Sequence, residues 1–231
     1  MTDPLDAPVI TVDGPSGSGK GTLASLLAQR LGWHLLDSGA LYRVVGAAAV
    51  ERGIPLGDEH ELAALARGLA IQFVGQDGDV RPVVDGRDMT DVIREEAVSA
   101  AASRVAALPA VRTAILGLQR EQRRLPGLVA DGRDMGTVVF PDAPLKIFLD
   151  ATPQVRAERR YNQLKNKGLS VKFAALLASI RERDERDRNR AASPLMPASD
   201  ALLIDSTDLD IDEVLDRVSA EARRRHLTTG A

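Results

Sequence analysis

A glycine-rich segment that directly follows a short apolar run constrains this chain more than any other feature. Residues 9–12 form a β-branched apolar run, and residues 14–22 follow it as Gly-Pro-Ser-Gly-Ser-Gly-Lys-Gly-Thr. Leucines then recur at helical spacing as far as Gly32, a residue type that commonly ends helices. The order of strand, glycine-rich turn and helix predicts a loop whose backbone N–H groups hold phosphate oxygens at a helix N-terminus.

This predicted phosphate loop fits the pattern G-x-x-x-x-G-K with one departure. Gly21 follows the lysine, and the hydroxyl comes one position later, at Thr22. Lys20 supplies a positive charge for the β- and γ-phosphates of a nucleotide, and Thr22 is a candidate contact for Mg²⁺. The residues predicted to hold the phosphates are Gly14, Pro15, Ser16, Gly17, Ser18, Gly19, Lys20, Gly21 and Thr22.

Further short apolar runs predict the rest of the fold. They end in the acidic residues Asp37, Asp131, Asp150 and Asp205, and helical patterns separate most of them. Near-continuous apolar strands that alternate with helices are typical of a parallel sheet covered on both faces. The predicted fold class is therefore α/β, a doubly wound parallel sheet of about five strands with helices on both faces.

Residues 62–105 interrupt this alternation. An apolar run at 71–74 is followed by two Asp-Gly pairs, at 77–78 and 85–86, which are typical of tight hairpin turns. The pattern predicts a small antiparallel α+β subdomain inserted into the core, and no second antiparallel element elsewhere. The predicted core comprises residues 1–61 and 106–231.

Composition and charge exclude several classes of function. Lys and Arg number 30 against 33 Asp and Glu, and aromatic residues make up only 3%. This balance argues against a nucleic-acid polymer as a partner, because such surfaces combine basic faces with stacking rings. Charged residues interrupt every stretch long enough to cross a bilayer, the chain has no cysteine, and its first residues lack the features of a secretion signal. We expect a cytoplasmic protein with no membrane partner.

Several polar residues outside the loop are candidates for a site. Asp131, at the end of an apolar strand, is placed to hold the water shell of Mg²⁺ beside the loop, although a turn-forming aspartate explains the position too. Arg133 and Asp134 follow directly, at the sheet edge where ligands bind in open α/β folds. Arg43 lies about one turn into a helix that begins at Ser38, which suits a second anion or a solvated arginine.

Positive charge is concentrated between residues 156 and 190, which hold eleven Lys or Arg against five Asp or Glu. A basic segment with a glycine, at about 156–170, predicts a lid that closes over phosphates. Arg156 and Arg160 are its candidate contacts to the transferring group.

A highly charged helix follows the predicted lid. Arg183, Asp187 and Arg190 fall on one of its faces, which favours an anionic ligand there. A solvated charged helix explains most of its residues equally well. The pairs expected four residues apart are Glu182 with Arg186 and Asp184 with Arg188.

Four segments together resemble the bacterial cytidylate kinases, a family of nucleoside monophosphate kinases. They are residues 14–22, 33–43, 131–141 and 183–191, and the similarity covers nearly the whole chain. The Gly21-Thr22 departure is itself typical of nucleoside monophosphate kinases. The resemblance implies transfer of the γ-phosphoryl group of ATP to CMP or dCMP with Mg²⁺, by an enzyme that is usually a monomer.

The resemblance also implies roles for individual residues. The loop is expected to hold the phosphates of ATP, and the inserted subdomain to bind CMP. The CMP phosphate is expected among Ser38, Arg43 and Arg133. The contacts to cytosine are expected from Ser103, Arg112 and Asp134. The contacts to the pentose are expected from Arg183 and Asp187, with Arg190 nearby.

Cytosine differs from uracil in having an N4 amine and an N3 acceptor. An acceptor such as Asp134 at the amine, with a donor such as Arg112 at N3 or O2, leaves buried groups unpaired when uracil binds. We therefore expect CMP to be preferred over UMP. Two alternatives stay open, namely a kinase for another small acceptor, such as AMP, UMP or a metabolite hydroxyl, and a nucleotide-binding switch that hydrolyses slowly.

Overall fold

The computed structural model describes residues 7–74, 81–166 and 168–227. Its strands are β1 (Val9–Asp13), β2 (His34–Asp37), β3 (Ile71–Val74), β4 (Arg81–Val84), β5 (Arg87–Asp88), β6 (Leu128–Gly132), β7 (Leu145–Asp150) and β8 (Leu202–Asp205). Its helices are α1 (Lys20–Leu31), α2 (Ser38–Glu51), α3 (Glu59–Gly68), α4 (Glu96–Val105), α5 (Pro109–Arg120), α6 (Pro153–Asn166), α7 (Phe173–Asn189) and α8 (Ile211–Arg224). A 3₁₀ turn spans Val92–Arg94 and a π-type turn spans Met135–Val139.

The main sheet has five parallel strands in the order β2-β6-β1-β7-β8. In the central pair, Val9 lies opposite Leu128 and Asp13 opposite Gly132. Because all five strands run the same way, their carboxyl ends form one edge of the sheet. The four predicted acidic strand ends lie at this edge, so the predicted parallel sheet is confirmed.

Helices cover both faces of the main sheet, as predicted. Successive residues of β1 alternate between the two cores, with Val9 packed under the α2 side and Ile10 under the α1 side. Leu23 of α1 and Val218 of α8 are buried in the second core, and Leu41 of α2 in the first. Burial of an aliphatic side chain of this size stabilises the fold by about 1.5–3 kcal/mol.

Local signals in the sequence set where helix α1 ends and where helix α2 begins. Helix α1 ends before Gly32, which has a left-handed conformation with φ of 66°, so the predicted stop is confirmed. Helix α2 begins where the side chain of Asp37 accepts a hydrogen bond from the N–H of Ala40 at 3.0 Å. This cap brings Ser38 and Arg43 to the same edge as the phosphate loop.

Strands β3, β4 and β5 form a separate antiparallel sheet, as predicted. Asp85 and Gly86 have φ values of 49° and 82°, which fit the second predicted hairpin turn. The first, at 77–78, lies outside the described residues. In the described ranges every other strand pair is parallel. The limits 62 and 105 of the inserted subdomain stay a prediction.

Helices α2 and α4 approach each other very closely at Gly46. A Cβ atom at this position would lie 3.0 Å from the backbone nitrogen of Ala102 and 3.2 Å from the carbonyl carbon of Ala101. Only a glycine allows this spacing without displacement of backbone. The contact places α4, and with it Ser103, against the core.

Within the described ranges, no single helix has the length and apolar composition needed to cross a membrane. By these criteria alone one pair would pass together, Ala97–Val105 with Pro109–Arg120, and it is bent by 100°.

We expect Gly46→Val to lower the free energy of unfolding by about 1–3 kcal/mol more than Gly117→Val does. Both glycines lie inside helices, so both variants carry the same change in helix propensity. Only position 46 adds a clash, since a Cβ at Gly117 would meet nothing within 4 Å. Urea denaturation measures both variants, and equal losses would contradict the close approach described here.

Candidate functional site

The carboxyl edge of the main sheet opens into a cavity of about 960 Å³, which is large for a ligand site. Most of the residues predicted from sequence line it. They are Ser16, Gly17, Ser18, Gly19, Lys20, Gly21, Thr22, Ser38, Arg43, Ser103, Arg112, Asp131, Arg133, Asp134, Arg160, Arg183, Asp187 and Arg190. Three predicted residues are not part of the lining, namely Gly14, Pro15 and Arg156.

The phosphate loop is held against β7 and carries a buried cation. A Cβ at Gly14, where φ is 155°, would lie 2.1 Å from the carbonyl oxygen of Leu149, so only glycine fits. Lys20 Nζ donates a hydrogen bond to the carbonyl of Pro15 at 3.2 Å and lies 4.0 Å from Asp131 Oδ1. Burial lowers the pKa of Lys20, and nearby Arg133 lowers it further. A bound phosphate would offset both effects.

Asp131 lies beside the loop as predicted and fits a hydrated Mg²⁺. Its Oδ1 atom is buried and has no hydrogen-bond partner among the described residues. Burial raises the pKa of Asp131, and Lys20 acts in the opposite direction. A Cβ at Gly21 would lie 3.1 Å from Asp131 Oδ2, so a side chain at position 21 would crowd this carboxylate. Mg²⁺ in nucleotide sites is commonly held by one or two protein oxygens with phosphates and water, so Asp131 and Thr22 suit it.

Opposite the loop, arginines and carboxylates hold each other in pairs. Arg133 Nε donates to Asp187 Oδ2 at 3.0 Å. Burial alone would raise the pKa of Asp187, but the nearby Arg133 and Arg183 lower it. Asp187 therefore stays ionised and keeps the Arg133 side chain in one orientation.

A second pair of this kind lines the same cavity. Arg112 donates to Asp134 Oδ2 through Nη2 and to the carbonyl of Ala106 through Nη1, the latter at 3.0 Å. Its guanidinium carbon lies 5.4 Å from the centre of the Tyr42 ring, in cation–π contact. Arg112 Nε and Arg190 Nη2 are buried and lack hydrogen-bond partners in the part of the chain described. These unsatisfied donors suit a ligand rich in acceptors.

Asp13 is a site residue that the sequence reasoning missed. It ends β1 immediately before the loop, is 4% exposed, and accepts the N–H groups of Met135 and Gly136, both at 2.8 Å. These two bonds hold the turn that follows Arg133 and Asp134. An acidic residue directly before the first glycine of the loop was the feature of the sequence that could have indicated a role for Asp13.

Three further residues were also missed. Arg159 lines the cavity and donates to the carbonyl of Ser18 at 3.2 Å; its position beside Arg160 was a signal. Gln119 Nε2 donates to Ser38 Oγ at 2.8 Å, and nothing local in the sequence indicated this. The Tyr42 ring, already described, lay inside a segment that carried the family resemblance.

The structure corrects the direct contact predicted for Arg156. Its side chain is fully buried and donates to the carbonyls of Ala151 and Ser16, both at 2.9 Å, and to both carboxylate oxygens of Asp184. The guanidinium therefore ties the phosphate loop to α6 and α7, and does not face the cavity. Arg160 does line it and donates to Gln163 Oε1 at 2.7 Å.

The pairing predicted along α7 is half correct. Glu182 and Arg186 form the expected contact. Asp184 forms its ion pair with Arg156, so the predicted pair of Asp184 with Arg188 is wrong. Arg188 instead lies 3.9 Å from Asp150.

A phosphate-binding loop that faces an arginine-lined cavity across the carboxyl edge of a parallel sheet defines a P-loop phosphotransferase. The family model described as cytidylate kinase matches residues 10–224. The chain therefore belongs to the cytidylate kinase family, and the resemblance seen in its motifs is confirmed.

The similarity to curated relatives extends over almost the whole chain. The chain is 59% identical over 220 residues to a cytidylate kinase of Pseudomonas aeruginosa strain UCBPP-PA14, covering 94% of this chain and 96% of that protein. It is 57% identical to one of Aeromonas salmonicida strain A449, with 96% of each chain covered. It is 56% identical to one of Shigella sonnei strain Ss046, covering 95% of this chain and 96% of that protein.

We expect Asp13 to make stability fall as pH rises toward neutrality. Burial raises the pKa of Asp13 to about 7 from 3.8, despite the two amide donors. Between those values the folded chain binds more protons than the unfolded chain, so its free energy of unfolding decreases with rising pH. Relative to Asp13→Asn, wild-type stability should therefore decline from about pH 4 to about pH 7 and then level off.

Urea denaturation of both proteins across this pH range measures the difference. Asp216→Asn, at an exposed carboxylate, is the control and should show no such decline. A wild-type advantage that grows with pH would contradict the assignment.

We expect Arg156 to contribute mainly to stability and Arg160 mainly to the rate of phosphoryl transfer. Arg156→Met leaves Asp184 buried and unpaired, so it should lower the free energy of unfolding by about 3–5 kcal/mol. Arg160→Met should change stability by less than about 1 kcal/mol while lowering the rate of phosphoryl transfer. Thermal unfolding and kcat are measured on both variants, and a stable but inactive Arg156→Met would restore the original assignment.

Proposed function

We propose that this chain transfers the γ-phosphoryl group of ATP to CMP or dCMP, giving ADP and CDP or dCDP. The observation that carries the proposal is one cavity with the phosphate loop on one side and paired arginines on the other. Membership of the cytidylate kinase family supports the choice of CMP and dCMP as acceptors. Two phosphorylated molecules held in this way can react in line.

The donor side is proposed to be the loop. Its backbone N–H groups and Lys20 hold the phosphates of ATP. The negative charge of these phosphates stabilises the charged form of the buried lysine. When bound, Mg²⁺ supplies positive charge to the phosphate oxygens. Thr22 and Asp131, through a water shell, are the residues proposed to hold it, supported by the unsatisfied Asp131 oxygen.

The acceptor side is proposed to hold the CMP phosphate among Ser38, Arg43 and Arg133. Gln119 orients the Ser38 hydroxyl and Asp187 orients Arg133. An acceptor phosphate is already anionic near neutral pH, so the reaction needs no general base. Fixed arginine forks instead hold it in line, and positioning of this kind is worth roughly 7–11 kcal/mol.

The pentose and base are proposed to lie farther along the cavity. Arg183 and Asp187 contact the pentose, with Arg190 nearby. Asp134, Arg112 and Ser103 contact cytosine. Asp134 fixes Arg112 as a donor, which supports selection of a base with acceptors at N3 and O2.

The remaining parts of the proposal concern movement and assembly. Residues of about 156–170 act as a lid, supported by Arg159, Arg160 and Leu169 in the cavity lining; residue 167 lies outside the described part. Residues 62–105 act as the CMP-binding subdomain, supported by Ser103. The family resemblance supports a monomer, and we place the enzyme in the cytoplasm.

Acceptor kinetics with ATP and Mg²⁺ test the function. We expect release of ADP that depends on CMP or dCMP, is weaker with UMP and AMP, and is abolished in Lys20→Ala. ATP turnover that ignores every nucleotide would favour a slow-hydrolysing switch. A preference for AMP, UMP or a metabolite hydroxyl would favour a kinase with another acceptor.

Arg133→Ala should lower kcat/KM for CMP by about 10²–10³-fold, because it removes donors from the transferring region. The dissociation constant of ATP should change by less than about two-fold, since the loop is intact. Arg223→Ala, at an exposed position of α8, is the charge-matched control. An equal loss of ATP affinity would place Arg133 on the donor nucleotide instead.

A further inference from the structure

A buried hydroxyl of the proposed base site is held by an arginine outside the cavity. Ser103 of α4 is 5% exposed and lines the cavity, whereas Arg186 of α7 is not part of the lining. Arg186 Nη1 donates a hydrogen bond to Ser103 Oγ at 2.8 Å. The other arm of the guanidinium donates to Glu182, one turn earlier on α7. Arg186 therefore contacts Ser103 from outside the cavity, while Glu182 accepts a hydrogen bond from the other arm of its guanidinium.

The direction of this hydrogen bond is set by chemistry. A guanidinium has five N–H donors and no acceptor, so Ser103 Oγ can only accept from it. The hydroxyl proton must then point away from Arg186. In the described ranges, Ser103 donates to no protein group. Its O–H is thus left available to a molecule in the cavity.

We propose that Arg186 is a positioning residue that makes Ser103 a hydrogen-bond donor toward the base, and thereby favours cytosine over uracil. This inference rests on the proposed function, which puts Ser103 at the base. Cytosine has an acceptor at N3, where uracil has an N–H, and we expect the Ser103 proton to meet this atom, since O2 is an acceptor in both bases. Against the N3–H of uracil, Ser103 Oγ would have to accept with its second lone pair and turn its own proton away, which would leave that buried proton without an acceptor.

Arg112, which also lines the cavity, favours acceptor groups on the base as well. Arg112 is also held as a donor, by Asp134 and by the carbonyl of Ala106, the residue directly after α4. Two donors fixed by groups outside the ligand define a surface that favours acceptors. Arg186 adds selectivity without touching the nucleotide.

The test compares kcat/KM for CMP and UMP in Arg186→Met, Arg186→Lys and Ser103→Ala, alone and combined. Methionine keeps much of the side-chain length but removes the donor, and the CMP/UMP ratio should fall about ten-fold. Lysine keeps a donor and should retain most of the ratio. In the Ser103→Ala background, Arg186→Met should have no further effect on it.

Arg188→Met is the matched control, because it removes an arginine from the same helix at a side chain that is 54% exposed. It should leave the ratio unchanged. If Arg186→Met does not fold, Arg186→Ala, with its high helix propensity, makes the same test.

The outcomes separate the inference from the function on which it rests. Equal loss of kcat/KM for CMP and UMP in Arg186→Met would overturn the inference, since it would make Arg186 only a link between α4 and α7. An unchanged ratio in Ser103→Ala would overturn both the inference and the base assignment of Ser103. Failure of the wild type to use CMP or dCMP would overturn the proposed function itself.

Discussion

The two halves of the site are kept at a fixed separation by a buried carboxylate, Asp13. It is the last residue of β1 and directly precedes the first glycine of the phosphate loop, and it accepts hydrogen bonds from the N–H groups of Met135 and Gly136. Because it is almost completely buried, water cannot replace these donors if they move. The turn that carries Arg133 is therefore tied to the strand that begins the loop. Arg156 adds a second tie, from the loop to α7.

The charge of the site is local and is organised by carboxylates. The whole chain has a formal charge of −3, yet residues 156–190 carry an excess of positive charge. Inside the cavity, Asp134 orients Arg112 and Asp187 orients Arg133. An arginine held in one orientation loses less freedom when a phosphate or base binds. A nearly neutral protein can thus present a strongly cationic pocket for small anions.

Features set by neighbouring residues could be predicted from the sequence, whereas contacts between distant residues could not. The helix start at Ser38 and the stop at Gly32 follow from side chains and φ angles within one turn of chain, so they were predictable. Arg156 was predicted to contact the transferring group on the basis of its spacing and charge within the predicted lid. The structure buries it against Asp184, 28 residues away, which also removed Asp184 from its expected partner Arg188. Spacing along one helix does not reveal which face another element covers.

By itself the sequence determined the phosphate loop, the parallel strands with acidic ends, the antiparallel insertion and the family, since each depends on contiguous residues. Only the tertiary structure decided which charged groups are buried and which group each one meets. Asp13, Gln119 and Arg186 acquire their roles from elements distant along the chain. The physical reason is that backbone conformation is set by neighbours within a few residues. The protonation and orientation of a buried polar group depend instead on whichever distant segments exclude water from it.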